Sequence, residues 1–418
     1  MPRWSARRWR SSNAGWGARR RSSCWARGPG TSWRGPSRTD RQKAFSLFPS
    51  PTMSAETPTA PPTPRAAFLR KLLPKLVLSL ALGALFAWLA ERGGVPILPS
   101  GEALRDVAWW TVPAYTATLL VTHTLRATRW RFLVRPIRDV PLKEVIALNW
   151  IGFFAIFALP LRLGEMARPA LTKVRHGISV SAGFGTIAVE RVVDGLITSL
   201  CVAWALFALP RVPSDDPLVR ALPFYGYLAL TVFGGAFIAL GLFLWQRERA
   251  VRLTEWGFGL VSKRLGTLIA EKVDGVADGI RSLGSARLTG GFLVESILYW
   301  GTNAVGMWLL AYGCGLPLTL GHAVAVMGVL AIGILLPTGP GLFGNFQLAI
   351  SIALKMYFAE TLIGDVGAVY IFLMYAVQAV VIVLTGVVPL YAMHLRLGDL
   401  LGAEAIRQGL RGAETETV

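Results

Sequence analysis

The chain has 418 residues, of which 53% are hydrophobic and 16% are charged, with a formal net charge of +19. Soluble domains carry nearer a quarter charged residues, so this balance excludes a soluble enzyme. The basic excess does not indicate a nucleic-acid binder, because eleven Arg and one Lys against one Asp place +11 of the +19 in residues 1–52. The rest of the charge mostly flanks apolar runs, where a membrane protein places it.

Residues 1–52 are rich in Arg, Trp, Ser and Gly and have no apolar h-region, so they are not a secretory signal peptide. They read as a non-native or disordered extension, with Met53 as the natural start. Residues 53–70 form a Pro-rich tail that leads into the first basic flank.

A helix needs roughly 20 apolar residues to cross a bilayer. The stretches 72–90, 107–125, 183–209, 222–245, 290–313 and 366–391 meet that length. Two others are short or broken: 145–160, and 321–358 with its Pro337-Thr338-Gly339-Pro340-Gly341 interruption. Short basic loops set orientation. Arg65, Arg70, Lys71 and Lys75 place the N-terminus in the cytoplasm, and the loop 126–144, with five Arg and Lys143, is also internal.

Residues 145–160 disturb the alternation, since Arg162, Arg168, Lys173 and Arg175 follow them. A re-entrant hairpin on the cytoplasmic side removes the conflict, and such backbone is tolerated at depth where protein or water covers it. The 321–358 stretch then dips in from the other side. The predicted fold is an all-α polytopic membrane protein of six transmembrane helices plus two re-entrant elements, with eight plain spans as the alternative. Two broken segments of opposite entry are the mark of an inverted repeat with a site near the midplane. The transmembrane domain is bounded at 71–395, with a cytoplasmic amphipathic loop at 246–289 and cytoplasmic residues 396–418. The expected location is a bacterial cytoplasmic (inner) membrane, with both termini inside.

Charges within spans are costly and usually face a protein interior or a wet cavity. Glu190 and Asp194 are four apart on one helix and share a face, so a cation is expected between them. Arg162 or Arg168 from the preceding hairpin is the candidate. Arg162, Glu165, Arg168, Glu190, Arg191 and Asp194 are therefore expected to form one cluster. It reads either as an ion-pair network locking hairpin to helix or as an anionic-headgroup site with Arg as the phosphate fork. In the second break, Pro340, Gly341, Asn345 and Gln347 are candidates for ligand binding, because freed backbone groups and a helix N-terminus favour an anion. The alternative is a simple turn between short spans. Glu295 and Asn303 are weaker candidates. Cys24, Cys201 and Cys314 are isolated and the four His are scattered, so neither a metal site nor a disulfide framework is expected.

RATRWRFLVRP (126–136), LPLRLGEMARPAL (159–171), GISVSAGFGTIAVERVVDGL (177–196) and LPTGPGLFGNFQLAI (336–350) resemble the transmembrane domain of lysylphosphatidylglycerol synthases. That domain also occurs alone in flippase-like membrane proteins. The resemblance implies translocation of a lipid, and no catalysis by this chain, since the synthases carry their aminoacyl transfer in a separate cytosolic domain. The expected partners are membrane lipids: an anionic or aminoacylated phospholipid, or a lipid-linked precursor. No cofactor and no nucleic acid are expected. There is no GxxxxGK[ST] pattern for ATP, so Glu190 and Asp194 are candidates for proton coupling. Two other functions stay open: a scaffold that binds a cytoplasmic partner through 246–289, and a lipid-modifying transferase.

Overall fold

The structure, a computed structural model, describes residues 64–92, 98–159, 164–246, 275–277, 279–280, 285–336 and 339–395. Residues 1–52, most of the 53–70 tail, Arg162, Pro337, Thr338, most of the 246–289 loop and residues 396–418 lie outside them. The described residues are helical, with no strand among them.

Six long helices are α1 (Pro64–Arg92), α2 (Thr111–Thr128), α6 (Val180–Ala208), α7 (Pro217–Trp245), α8 (Ala286–Gly313) and α11 (Ala368–Ala392). They overlie the six expected spans. By length and composition, Val180–Ala208, Pro217–Phe243 and Glu360–Ala392 qualify outright as able to cross a membrane. α2 continues through Arg129 into the short α3 (Trp130–Val134). The helix therefore carries the RATRWR string instead of ending before it, as the expected span 107–125 does.

The two irregular stretches are helical hairpins. The first is α4 (Leu142–Ala158) and α5 (Ala167–His176), and the second is α9 (Leu320–Gly333) and α10 (Asn345–Lys355). At about 1.5 Å per residue these arms span roughly 25, 15, 21 and 16 Å, short of a hydrocarbon core of about 30 Å. That favours the re-entrant alternative over eight plain spans. Local sequence sets their ends. Thr319 caps α9 by accepting from the His322 N–H at 3.2 Å while His322 Nδ1 accepts from the Thr319 N–H. Gly177 closes α5 in the left-handed region.

Gly164 lets the first hairpin close. A Cβ there would collide with the Ala155–Ile156 peptide, and backbone cannot swing aside. Gly164→Ala is expected to cost about 1–3 kcal/mol or more through overpacking, read as a lower thermal midpoint in detergent. Gly234→Ala, where a Cβ meets nothing within 4 Å, should leave the midpoint unchanged.

α2 and α8 run antiparallel along their whole length. Gly313 packs on Thr111, Gly306 on Thr118 and Gly291 on Phe132. These small residues let the backbones approach, as membrane helix pairs require. The order helix–hairpin–helix thus occurs twice, as α2–α4–α5–α6 and α8–α9–α10–α11, with opposite sense. The packing respects the exchange: α4 lies against α11, and α9 against α6. Each hairpin is clasped by the closing helix of the other half. α7 stands at the periphery with Phe224, Leu228, Val232, Ile238 and Leu242 exposed, a surface suited to lipid tails.

The tip of the second hairpin is a one-turn helix at Pro340–Leu342. Gly341 and Gly344 take φ of +74° and +81°, which side chains with a Cβ rarely adopt. Gly344 also meets the α1 backbone at Gly83 and Ala87, and Gly341 meets Phe157 at the end of α4. The two hairpin tips therefore touch.

Candidate functional site

The two carboxylates of α6, Glu190 and Asp194, each sit in a buried ion pair. Arg129 forks onto Asp194, Nη1 to Oδ1 and Nη2 to Oδ2, both at 2.6 Å. Trp300 Nε1 donates to the same Oδ1 at 3.1 Å, and Arg129 Nη1 also donates to Ser296 Oγ at 3.0 Å. Arg129 is 1% exposed, so each hydrogen bond here replaces one that water would have made. The second pair is Arg168 with Glu190. Arg168 Nη1 also donates to Asn149 Oδ1 at 2.5 Å, and its guanidinium lies 5.1 Å over the Trp130 ring. Trp130 Nε1 in turn donates to Thr186 Oγ1.

The single cluster expected from sequence is corrected in one respect. Glu190 and Asp194 do not share one cation. Glu190 takes Arg168, one of the two candidate cations, but Asp194 takes Arg129, which the charge pattern assigns to a cytoplasmic loop. α2 packs beside α6 and α8, and that packing delivers Arg129 to the depth of Asp194. Arg191 stands 3.9 Å from Glu165. Arg162 lies outside the described residues.

The second break also departs from expectation. Asn345 Nδ2 donates to the Gly333 carbonyl at 2.7 Å, and Gln347 Oε1 accepts from the Gly344 N–H at 2.8 Å. Both side chains are buried; Asn345 ties the hairpin arms to each other and Gln347 caps the start of α10, and neither lines the cavity described next. Pro340 and Gly341 shape the tip. Leu342 and Phe346 reach the cavity from this segment. Glu295 accepts from Thr128 Oγ1 at 2.6 Å and from Arg131 at 3.2 Å, which links α8 to α2.

A cavity of about 130 Å³ lies between the hairpins and the long helices, walled by α2, α4, α6, α7, α8, α9, α10 and α11. Much of its wall is apolar, including Leu119, Phe157, Met327, Ile334, Met374 and Ile382. Its polar end holds Thr122, His123, Arg126, Arg191, Asp194 and Asn303. Arg126 lies 3.9 Å over the Phe153 ring and, among the described residues, has no carboxylate within ion-pair distance. Arg126 Nε, Arg191 Nε, His123 Nδ1 and Thr122 Oγ1 are buried with no hydrogen-bond partner, although His123 and Thr122 are about 5% exposed or less. Buried polar atoms are normally satisfied, so their convergence on one cavity indicates something polar that enters it. A smaller recess lined by Gly164, Glu165, Arg168 and Arg191 adjoins it, sharing Phe153, Ile156 and Arg191.

Sequence reasoning missed Arg126 and Arg129. A helical reading of RATRWR would have found them: Tyr115, Leu119, Thr122, His123 and Arg126 recur at helical spacing on one face, and all line the cavity.

Six long helices and two short hairpins around a largely apolar cavity with a few charged groups define an all-α multi-pass membrane protein. The model of the lysylphosphatidylglycerol synthase TM region family matches residues 76–395, and the chain belongs to that family. The family connects the chain to lipid handling. No curated protein and no solved structure matches it.

Proposed function

We propose that this protein moves a lipid between the leaflets of a bacterial inner membrane, with both termini in the cytoplasm and no chemical step of its own. The observation that carries this reading is the cavity where the hairpin tips meet. It sets Arg126 Nε, His123 Nδ1 and Thr122 Oγ1, without hydrogen-bond partners among the described residues, against an otherwise largely apolar wall. A bare cation in a low-dielectric interior costs several kcal/mol, and a lipid phosphate would offset that cost. The apolar wall would accept the glycerol and the first methylenes. The inverted halves supply a way to expose the site to each leaflet in turn, as two related arrangements of one packing.

The test is lipid movement in proteoliposomes. Fluorescent phosphatidylglycerol, its aminoacylated form and phosphatidylethanolamine would be followed by quenching of outer-leaflet label. The full chain should accelerate loss of label. Ala331→Trp, which fills the cavity from α9, should return the rate to that of protein-free liposomes while the protein still elutes as a folded species. If the folded protein moves no lipid, the reading is wrong.

A further inference from the structure

We infer that the cavity selects lipids of net negative charge and rejects net cationic, aminoacylated ones. This inference rests on the lipid-binding part of the reading above and gives the substrate its chemical class.

The argument is a charge count. Three charged residues line the cavity: Arg126, Arg191 and Asp194. Asp194 has both oxygens engaged by Arg129, and one of them also by Trp300. Three of its roughly four acceptor sites are thus filled, which leaves it poorly placed to hold an incoming ammonium group. Arg126, Arg191 and Arg129 against Asp194 leave a formal +2. Counting Glu165, 3.9 Å from Arg191, leaves +1, which Arg126 carries. The remaining polar lining is neutral amide, hydroxyl, imidazole and indole: Asn303, Gln378, Thr122, Tyr299, His123 and Trp300. A phosphodiester with an uncharged headgroup cancels part of this field. A zwitterionic lipid cancels none of it. A lysyl ester, whose two ammonium groups outweigh its phosphate, adds to it. In a site of low dielectric, like charges disfavour binding more strongly than they would in water.

The aromatic surroundings support the same order. Arg126 Cζ lies 3.9 Å from the Phe153 ring centroid, a contact that limits the freedom of a guanidinium suited to forking onto phosphate oxygens. No carboxylate or unengaged aromatic cage among the lining residues is arranged to take a second cation.

The experiment measures binding, separately from transport. The full chain in detergent micelles is titrated with short-chain phosphatidylglycerol, phosphatidylcholine and lysylphosphatidylglycerol, and with inorganic phosphate. Phosphatidylglycerol should bind about tenfold or more tightly than the lysyl form, with phosphatidylcholine between, given the value of a charge-assisted hydrogen bond. Arg126→Gln should bring phosphatidylglycerol down to the level of phosphatidylcholine. Arg126 holds no ion pair among the described residues, so its replacement strands no buried carboxylate, and the thermal midpoint checks that the fold survives. Gln378→Glu, which adds a carboxylate to the wall, should shift preference toward the lysyl form.

Equal or tighter binding of lysylphosphatidylglycerol, no binding of any lipid, or an unchanged preference in both variants would overturn the inference. Inorganic phosphate binding as tightly as the lipid would replace the lipid with a soluble anion. The expected order in a protein that moves no lipid would overturn translocation alone. Lipid movement without charge preference would overturn the selection alone.

Discussion

Asp194→Ala is expected to be the most damaging single change among the described residues. It strands the Arg129 guanidinium, 1% exposed, with only Ser296 as a hydrogen-bond partner. Removing one member of a buried pair costs about 3–5 kcal/mol, because the other charge is left uncompensated. That is a large part of a typical stability of about 5–15 kcal/mol. Thermal unfolding in detergent should show a much lower midpoint, with little folded protein recovered. The informative comparison is a double variant, Arg129→Leu with Asp194→Leu. Removing both charges leaves nothing stranded, so the double should be more stable than Asp194→Ala alone. If the two single changes and the double instead add, the pair is not coupled and the account of α2 docking on α6 is wrong.

Arg168→Ala should come next, through a different element. Arg168 lies in the return arm of the first hairpin and reaches Asn149 in its entering arm and Glu190 in α6. Its loss leaves Glu190 3% exposed with no cation, again a cost of about 3–5 kcal/mol. Arg168→Lys should recover little. A single ammonium cannot place two divergent donors as a planar guanidinium does, nor stack as well on Trp130. Arg131→Ala is the matched control. Arg131 also pairs with a carboxylate, Glu295, but its side chain is 44% exposed, where such pairs contribute about 1 kcal/mol or less. Equal losses for Arg168→Ala and Arg131→Ala would mean that burial does not set the energetics here.

These two expectations separate structural charges from the one available to a ligand. Arg129 and Arg168 each hold a buried carboxylate, and their replacement should damage the fold before any lipid is offered. Arg126 lacks such a partner, and its replacement should spare the fold and alter binding. The sequence places all three within one short region, 126–168, with nothing in residue type to tell them apart.

The membrane class, the six spans and the two broken segments were legible in the sequence by itself. Hydrophobic length is a property of a continuous stretch, and so is the break made by Gly164 or by Gly341 and Gly344. The partnership of Arg168 with Glu190 could also be anticipated, because the hairpin and α6 are neighbours along the chain. The cation on Asp194 could not. Arg129 is 65 residues away, and basic residues at a span end read as a cytoplasmic flank until packing shows how far the helix extends. Asn345 and Gln347 misled for the same reason: a polar side chain beside a Pro-Gly break can bind a ligand or cap its own backbone, and only the position of Gly333 and Gly344 decides between the two. The cavity itself is collected from eight helices. No local pattern encodes it, because it exists only where α4 packs on α11 and α9 on α6, with no carboxylate paired to Arg126 among the described residues.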